Sequence, residues 1–309
     1  VKQLRYLVAL EKHLHFGHAA EACFVTQSAF SVAIKDLETL LNVSLVDRTN
    51  RSVVFTSTGK LVAQQARLAI FDMEGIVDIA KSVQEPLSGL LKMGIIPTIA
   101  PFLLPKILPK IRKSFPKLEL YLIEEQTKKI HQLLLEGELD ILLLALPFEL
   151  MNTETVSIFN DPFKLAYKKG TTLIDPENFS PNKHNNNSIM LLADGHCLRD
   201  HALSACSLGR KGNISKFSAS GLYSLIQMVD SDLGVTFIPQ MAIDSGLLKN
   251  TKVQTKDLKD KSYREIGLAW RKSSVRKHEF KLLVDVIQES VGKDLVVPDQ
   301  VWKTSKLVS

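Results

Sequence analysis

The sequence predicts two fold classes in one chain: an all-α N-terminal part carrying a small hairpin, then a larger α/β part. Three observations predict this. Up to about residue 87 the apolar residues recur at helical spacing almost without interruption. From residue 88 strand-like runs alternate with helix-like ones, the pattern of α/β units. The length, 309 residues, is enough for two or three domains with cores of their own.

Leu4, Leu7 and Val8 give the first helix an apolar face, which breaks at "HLHFGH". In "AAEACFVTQSAFSVAIKDLETLL" the residues Ala19, Ala20 and Cys23 mark a short helix, and a tight turn falls at Val25–Thr26. Phe30, Ile34, Leu37 and Leu41 mark a second helix, opened by a Ser or Thr cap. "VDRTNRSVVFTSTGK" sets β-branched runs on both sides of a polar turn, which predicts a small hairpin. Thr56 or Ser57 then caps a long helix over about 58–83, ending before Pro86.

Beyond that helix "GLLKMGIIPT", "LELYLIEE" and "ELDILLLAL" read as strands, while "APFLLPKILPKIRKSF" and "KKIHQLLLEG" read as helices. The alternation predicts a largely parallel sheet. A second set follows, with strands at "FKLAYKK", "IMLLA", "VTFIP" and "EIGLAW". Its helices are "SGLYSLIQMVDSDLG" and "VRKHEFKLLVDVIQESV", and "PNKHNNNS" is a polar surface loop. No internal repeat of fixed period occurs.

Composition narrows the class. With 45% hydrophobic and 23% charged residues, the chain reads as folded, soluble and cytoplasmic. No uncharged apolar window approaches the roughly 18 residues of a membrane span. The opening "VKQLRYLVALEKH" is charged every few residues and lacks a small-residue cleavage site, so it does not read as a signal peptide. Three cysteines, an odd number, fit a reducing compartment better than a disulfide framework. The net charge of +6 invites a nucleic-acid partner. Residues 1–87, however, hold nine Lys/Arg and nine Asp/Glu, so the whole excess lies in 88–309. DNA binding has to rest on pattern rather than charge.

Helix, tight turn, helix and basic hairpin form the pattern of a winged helix-turn-helix. Its second helix enters the major groove of double-stranded DNA and presents polar side chains from its N-terminal end. Here those are Thr26, Gln27, Ser28, Ser31 and Lys35. Gln can bond adenine bidentately, and Ser and Thr can bond bases or phosphate. Arg48 and Arg51 flank the hairpin tip and suit phosphate or minor-groove contacts. A solvated helical hairpin without a partner would show similar spacing.

The stretch "FGHAAEACFVTQSAFSVAIKDLETLLNVSLVDRTNRSVVFTSTG" resembles the helix-turn-helix of LysR-type transcriptional regulators. The order of parts over essentially the whole chain is similar to theirs. The resemblance implies a winged helix-turn-helix over 1–57 and a linker helix over 58–87 that dimerises, with tetramers common. It also implies a two-lobed α/β effector domain over 88–309, like a periplasmic binding protein, with lobe I about 88–161 and 266–309 and lobe II about 162–265. Promoter DNA and RNA polymerase are the implied partners. On its own, the linker's apolar face (Leu61, Leu68, Ile76, Ile79) says only that it packs against something. Ser28 departs from the family, which usually has proline there; Ser can replace it as a cap.

The segment "DGHCLRDHALSAC" places Cys197 and Cys206 nine positions apart. His196, Cys197, His201 and Cys206 are all possible zinc ligands, but a structural site needs tight ligand pairs from two elements, and no second pair stands nearby. No metal and no cofactor are expected. Free cysteine is commonly a small buried hydrophobe, which suits Cys23 and Cys206. Cys197 is different: His196 and Arg199 beside it, and a helix start expected after Gly195, would lower its pKa and make it reactive. If 197–206 is one helix, the thiols stand about 13 Å apart along its axis. A disulfide needs Cα atoms within about 7 Å, so pairing would require the helix to unravel.

"LADGHCLRDHALSAC" further resembles the segment that defines the hydrogen-peroxide-sensing members of the same family. That resemblance implies a peroxidatic Cys197, a resolving Cys206 and resetting by a thioredoxin- or glutaredoxin-type reductant. "GIIPTIAPFLLPKI" and "EEQTKKIHQLL" resemble stretches that each give a threonine to the peroxide pocket, here Thr98 and Thr127. Read alone, both are caps on ordinary loops. Arg264 matches an arginine near the reactive cysteine. Two other functions remain open at this level: a regulator binding a small effector between its lobes, and a thiol peroxidase using the same attack.

Overall fold

The computed structural model describes residues 1–48, 53–82, 86–179, 188–205, 214–258 and 262–291. The chain divides into two compact units, the first dominated by residues 1–86 and the second by 87–134, 139–272 and 277 onward. Among the described residues no helix is long and apolar enough to cross a membrane.

The first unit holds α1 (Lys2–His13), α2 (Phe16–Ala22), α3 (Gln27–Leu41), β1 (Val46–Arg48), β2 (Val53–Phe55) and α4 (Ser57–Ser82). Leu7 and Leu10 of α1, Ala19 of α2, and Phe30 and Ile34 of α3 are buried together. Tyr6 stacks on Phe30 at 4.9 Å, and Phe16 meets Phe30 edge-on at 6.1 Å. Each fully buried side chain of this size contributes about 1.5–3 kcal/mol, enough to hold three short helices that would not persist alone. β1 and β2 pair antiparallel, Val46 opposite Phe55, and make the wing. Thr56 caps α4: its Oγ1 accepts from Gly59 N at 2.8 Å and donates to Ser44 O at 2.9 Å. Gly59 lets α4 lie directly on the chain, since a Cβ there would stand 1.9 Å from Leu45 O. Arg67 of α4 pairs with Glu11 of α1.

The second unit is built on a seven-stranded sheet, in the order β10-β6-β11-β5-β3-β4 with β9 also on β6. Its strands are β3 (Gly89–Ile95), β4 (Leu118–Glu124), β5 (Ile141–Leu146), β6 (Thr153–Lys168), β9 (Thr236–Pro239), β10 (Val253–Asp257) and β11 (Tyr263–Arg271). A separate parallel pair, β7 (Ile189–Leu192) and β8 (Ile214–Ala219), completes it. The helices are α5 (Ala100–Ser114), α6 (Thr127–Leu135), α7 (Cys197–Ala205), α8 (Leu222–Asp230), α9 (Gln240–Asp244) and α10 (Lys277–Gln288). All six residues of β5 are buried, as expected of a strand covered on both faces.

The expectation of a largely parallel sheet is corrected. β3 pairs parallel with β4 and β5, but β11 runs antiparallel between β5 and β6, and β9 and β10 run antiparallel to β6. Parallel neighbours need a crossover helix, which α5 and α6 supply up to β5. Six residues join β5 to β6, too few for one.

β6 also extends further than "FKLAYKK" suggested. Its first part pairs with β11 and its last part with β9 and β10. The two lobes are thus joined by β6 and β11, one lobe holding β3–β5 and the other β7–β10. β8, α9 and β10 were not anticipated, and the Asn-rich loop lies outside the described residues.

Candidate functional site

Cys197 is the first residue of α7, delivered by β7 through a turn at Gly195. Gly195 has φ +95°, which strains any side chain, and a Cβ there would stand 2.5 Å from Gln126 Oε1. This turn brings the start of α7 down onto the start of α6. Cys197 is a free thiol, 5% exposed, packed in the main core. The Thr127 hydroxyl, at the start of α6, is buried without a hydrogen-bond partner among the described residues and is close enough to the thiol to lower its pKa. Thr98 is buried in the connection from β3 to α5.

Arg264 links the cluster. It lies on β11, 1% exposed, and donates from Nη1 to Thr98 Oγ1 and from Nη2 to Thr98 O, both at 3.0 Å. Its Nε and Nη2 both donate to Asp161 Oδ2, at 3.0 and 2.9 Å. Asp161 sits directly opposite on β6, and its Oδ1 accepts from Met241 N at 2.9 Å.

The electrostatics differ from the expectation. Burial pushes the Cys197 thiol above its ordinary range, the Thr127 hydroxyl and the Arg264 charge pull it down, and Asp200 pushes it up. Neither His196 nor Arg199 supplies the cation. Burial lowers His196, against a hydrogen bond to the Ser220 backbone, so its ring is neutral near pH 7. Arg199 Nε pairs with Asp194 at 3.0 Å and its Nη1 bonds Leu192 O at 3.1 Å, so its charge is committed to an exposed carboxylate. The nearest sequence neighbours of the thiol were thus the wrong cations, and the right one comes from a strand 67 positions away.

α7 forms over 197–205, as the spacing argument assumed, while Cys206 lies outside the described residues. His201, one turn beyond Cys197, bonds Pro147 O through Nε2 at 3.0 Å, and burial lowers its pKa. Among the described residues no group of three or more His, Cys, Asp or Glu is placed to hold a metal. Cys23 caps the end of α2 half-buried, and burial raises its pKa.

Asp161 escaped the sequence reading although a signal was present. Phe159, Asp161, Phe163 and Leu165 alternate as the inward face of β6, so a carboxylate stands where an apolar residue belongs.

On the DNA-facing side, α3 begins at Gln27. Its cap is Thr26, whose Oγ1 accepts from Ala29 N at 3.3 Å and lies 3.2 Å from Ser28 Oγ. Thr26 rather than Ser28 is therefore the cap. Gln27, Ser28 and Lys35 are exposed and Ser31 half-buried, with Gln27, Ser31 and Lys35 four apart in one stripe. Phe30, Ile34 and Leu37 point the opposite way, into the core. Of Arg48 only the backbone at the end of β1 is described, and Arg51 lies outside the described residues.

A wing, an exposed polar stripe on α3 and a separate two-lobed α/β unit together define a DNA-binding transcription regulator. Residues 1–60 match the bacterial regulatory helix-turn-helix protein, lysR family, and residues 84–292 match the LysR substrate binding domain; the chain belongs to the LysR family. It is 39% identical over 294 residues to the HTH-type transcriptional regulator EstR of Acinetobacter baylyi, covering 93% of this chain and 96% of EstR. It is 35% identical over 289 residues to a hydrogen peroxide-inducible genes activator of Dickeya chrysanthemi, covering 94% and 95%. A full-length OxyR from Pseudomonas aeruginosa, carrying a cysteine-to-aspartate substitution, superposes with a TM-score of 0.78 at 30% identity, covering 97% and 98%.

Proposed function

We propose that this regulator senses hydrogen peroxide through Cys197 and reports it to promoter DNA. The observation that carries the reading is the buried Cys197 thiol at the start of α7, near a buried Thr127 hydroxyl that has no hydrogen-bond partner among the described residues and under the charge of Arg264. A small, neutral peroxide suits such an enclosed polar pocket. Thr98, Thr127 and His196 hold the peroxide, and the Cys197 sulfur attacks one oxygen as the O–O bond breaks. The thiol proton ends on the departing oxygen, so the products are a sulfenic acid and water. Arg264 offsets the negative charge that builds on sulfur and leaving oxygen.

The Cys206 thiol then displaces water from the sulfenic acid, forming a disulfide. Because Cys197 opens α7, that bond requires the helix to unwind, and the refolded segment repacks the lobes. The change alters how a dimer or tetramer sets its recognition helices on DNA and how it meets RNA polymerase. A thioredoxin- or glutaredoxin-type dithiol restores the reduced state in the cytoplasm. Thr26, Gln27, Ser28, Ser31, Lys35, Arg48 and Arg51 form the DNA contact. The chain acts once per oxidation rather than as a turnover enzyme.

Counting free thiols before and after one equivalent of peroxide tests the reading. A loss of two per chain is expected, whereas unchanged thiols would overturn it. EstR is named as a transcriptional regulator without reference to peroxide, which leaves room for a second reading in which a small effector binds between the lobes and the cysteines are structural. Under that reading peroxide consumes no thiol pair.

A further inference from the structure

α7, which Cys197 opens, packs against β11, and the charge of Arg264 on that strand acts on the thiol, yet most of what the guanidinium can offer is directed elsewhere. Of its five N–H donors, two go to Asp161 Oδ2 and two to Thr98, leaving one on Nη1. Asp161 faces Arg264 in register across β6 and β11, and both side chains are fully enclosed. The second carboxylate oxygen is fixed by Met241 N, so the acid cannot swing away. A cation held about 3 Å from its counter-ion acts on a third group as a dipole, whose field falls off faster than that of a bare charge. The sulfur is therefore exposed to a reduced positive potential, in keeping with a thiol that burial still holds protonated.

We propose that Asp161 sets the reactivity of Cys197 through Arg264: it fixes the guanidinium and cancels most of its charge, restraining the thiol at rest. This rests on reading Cys197 as the reactive thiol. Asp161 is a positioning residue, since it touches neither the sulfur nor the oxidant. Burial pushes the Asp161 carboxyl above its ordinary range, and the Arg264 charge and the Met241 N–H pull it down; among the described residues the other ionisable groups acting on the pair and the thiol are Asp244 of α9, which pushes Asp161 up, and Asp200 and His201 of α7.

The test follows alkylation of Cys197 by iodoacetamide against pH in the reduced full-length protein, read by peptide mass spectrometry. Asp161→Asn is expected to move the midpoint down by about one pH unit and to raise the rate near pH 7 about tenfold. Asp161→Ser, which leaves room for water to take the freed N–H groups, should move it the same way and serves if the amide variant folds poorly. In an Arg264→Gln background, Asp161→Asn should change nothing. An unmoved midpoint in the single variants, an upward shift, or a shift that persists without Arg264 would each overturn the proposal. The alkylation readout needs no peroxide. If Cys197 proves no faster with peroxide than free cysteine while the Asp161 shift appears, the sensing reading falls and this inference stands.

Discussion

Replacing Thr127 by valine separates the chemistry of the pocket from the stability of the fold. The substitution swaps a hydroxyl for a methyl of similar shape at a buried site, and valine keeps threonine's branched Cβ. That hydroxyl has no hydrogen-bond partner among the described residues, so the fold loses no hydrogen bond, and the group placed to receive one is the Cys197 thiolate. Stability should change by less than about 1 kcal/mol. The thiolate, by contrast, loses a donor. A hydrogen bond to a charged group contributes about 1.5–3 kcal/mol, and one pKa unit corresponds to about 1.36 kcal/mol. The thiol pKa should therefore rise by roughly one to two units, and near pH 7 its reaction with peroxide should slow about 10- to 100-fold. Stopped-flow peroxide kinetics and thermal unfolding, run on the same preparations, give both numbers. If the thiol rate is unchanged, the hydroxyl does not serve the thiolate and the reasoning fails.

Burial keeps His201 neutral in the native state, while the unfolded chain takes up a proton below about pH 6.5. The stability tied to that difference is present above that pH and is lost as the pH falls. The urea midpoint of the native protein should therefore fall more between about pH 7 and pH 5 than that of His201→Gln; parallel curves contradict this. His196, shifted the same way, leaves a residual slope in the variant. Gln27→Ala should relax base preference at one operator position by about 1–3 kcal/mol, whereas Lys35→Ala should weaken all sequences alike and reduce the salt slope by about one. Measuring binding to operator and unrelated DNA at several salt concentrations distinguishes the two effects, and swapped behaviour would reverse the assigned roles. Leu61 and Ile76 of α4 are 67% and 65% exposed in the single chain. Ile76→Glu should shift sedimentation toward monomer if this face pairs with a second copy, and an unchanged profile argues that it does not.

The elements whose pattern is local were legible in the sequence. Leu7, Phe30, Ile34 and Leu37 recur at helical spacing because each helix of the first unit buries one face, and the structure keeps that face inside. β6 was read only in its second half, since "TETVSIFND" carries polar residues that a loop would also show. Its strand character comes from pairing with β11, more than a hundred positions later. The candidate site follows the same rule. Local chemistry singled out Cys197, whereas Thr98, Thr127 and Arg264 came from resemblance to related segments, which carry long-range information that spacing does not. Purely local reasoning put His196 and Arg199 on the thiol, whereas the folded chain pairs Arg199 with Asp194 and leaves His196 neutral. Asp161 was hidden because its partner is distant in sequence, even though its place on an apolar alternation marked it.

In the proposed sensor, peroxide changes DNA binding through Cys197. Footprinting on target promoter DNA, with and without peroxide, addresses it directly when the native protein is compared with Cys197→Ser and Cys206→Ser. A peroxide-dependent change of footprint is expected in the native protein, reversed by a dithiol reductant and absent in Cys197→Ser. A Cys197→Ser protein that still shifts its footprint with peroxide would contradict it.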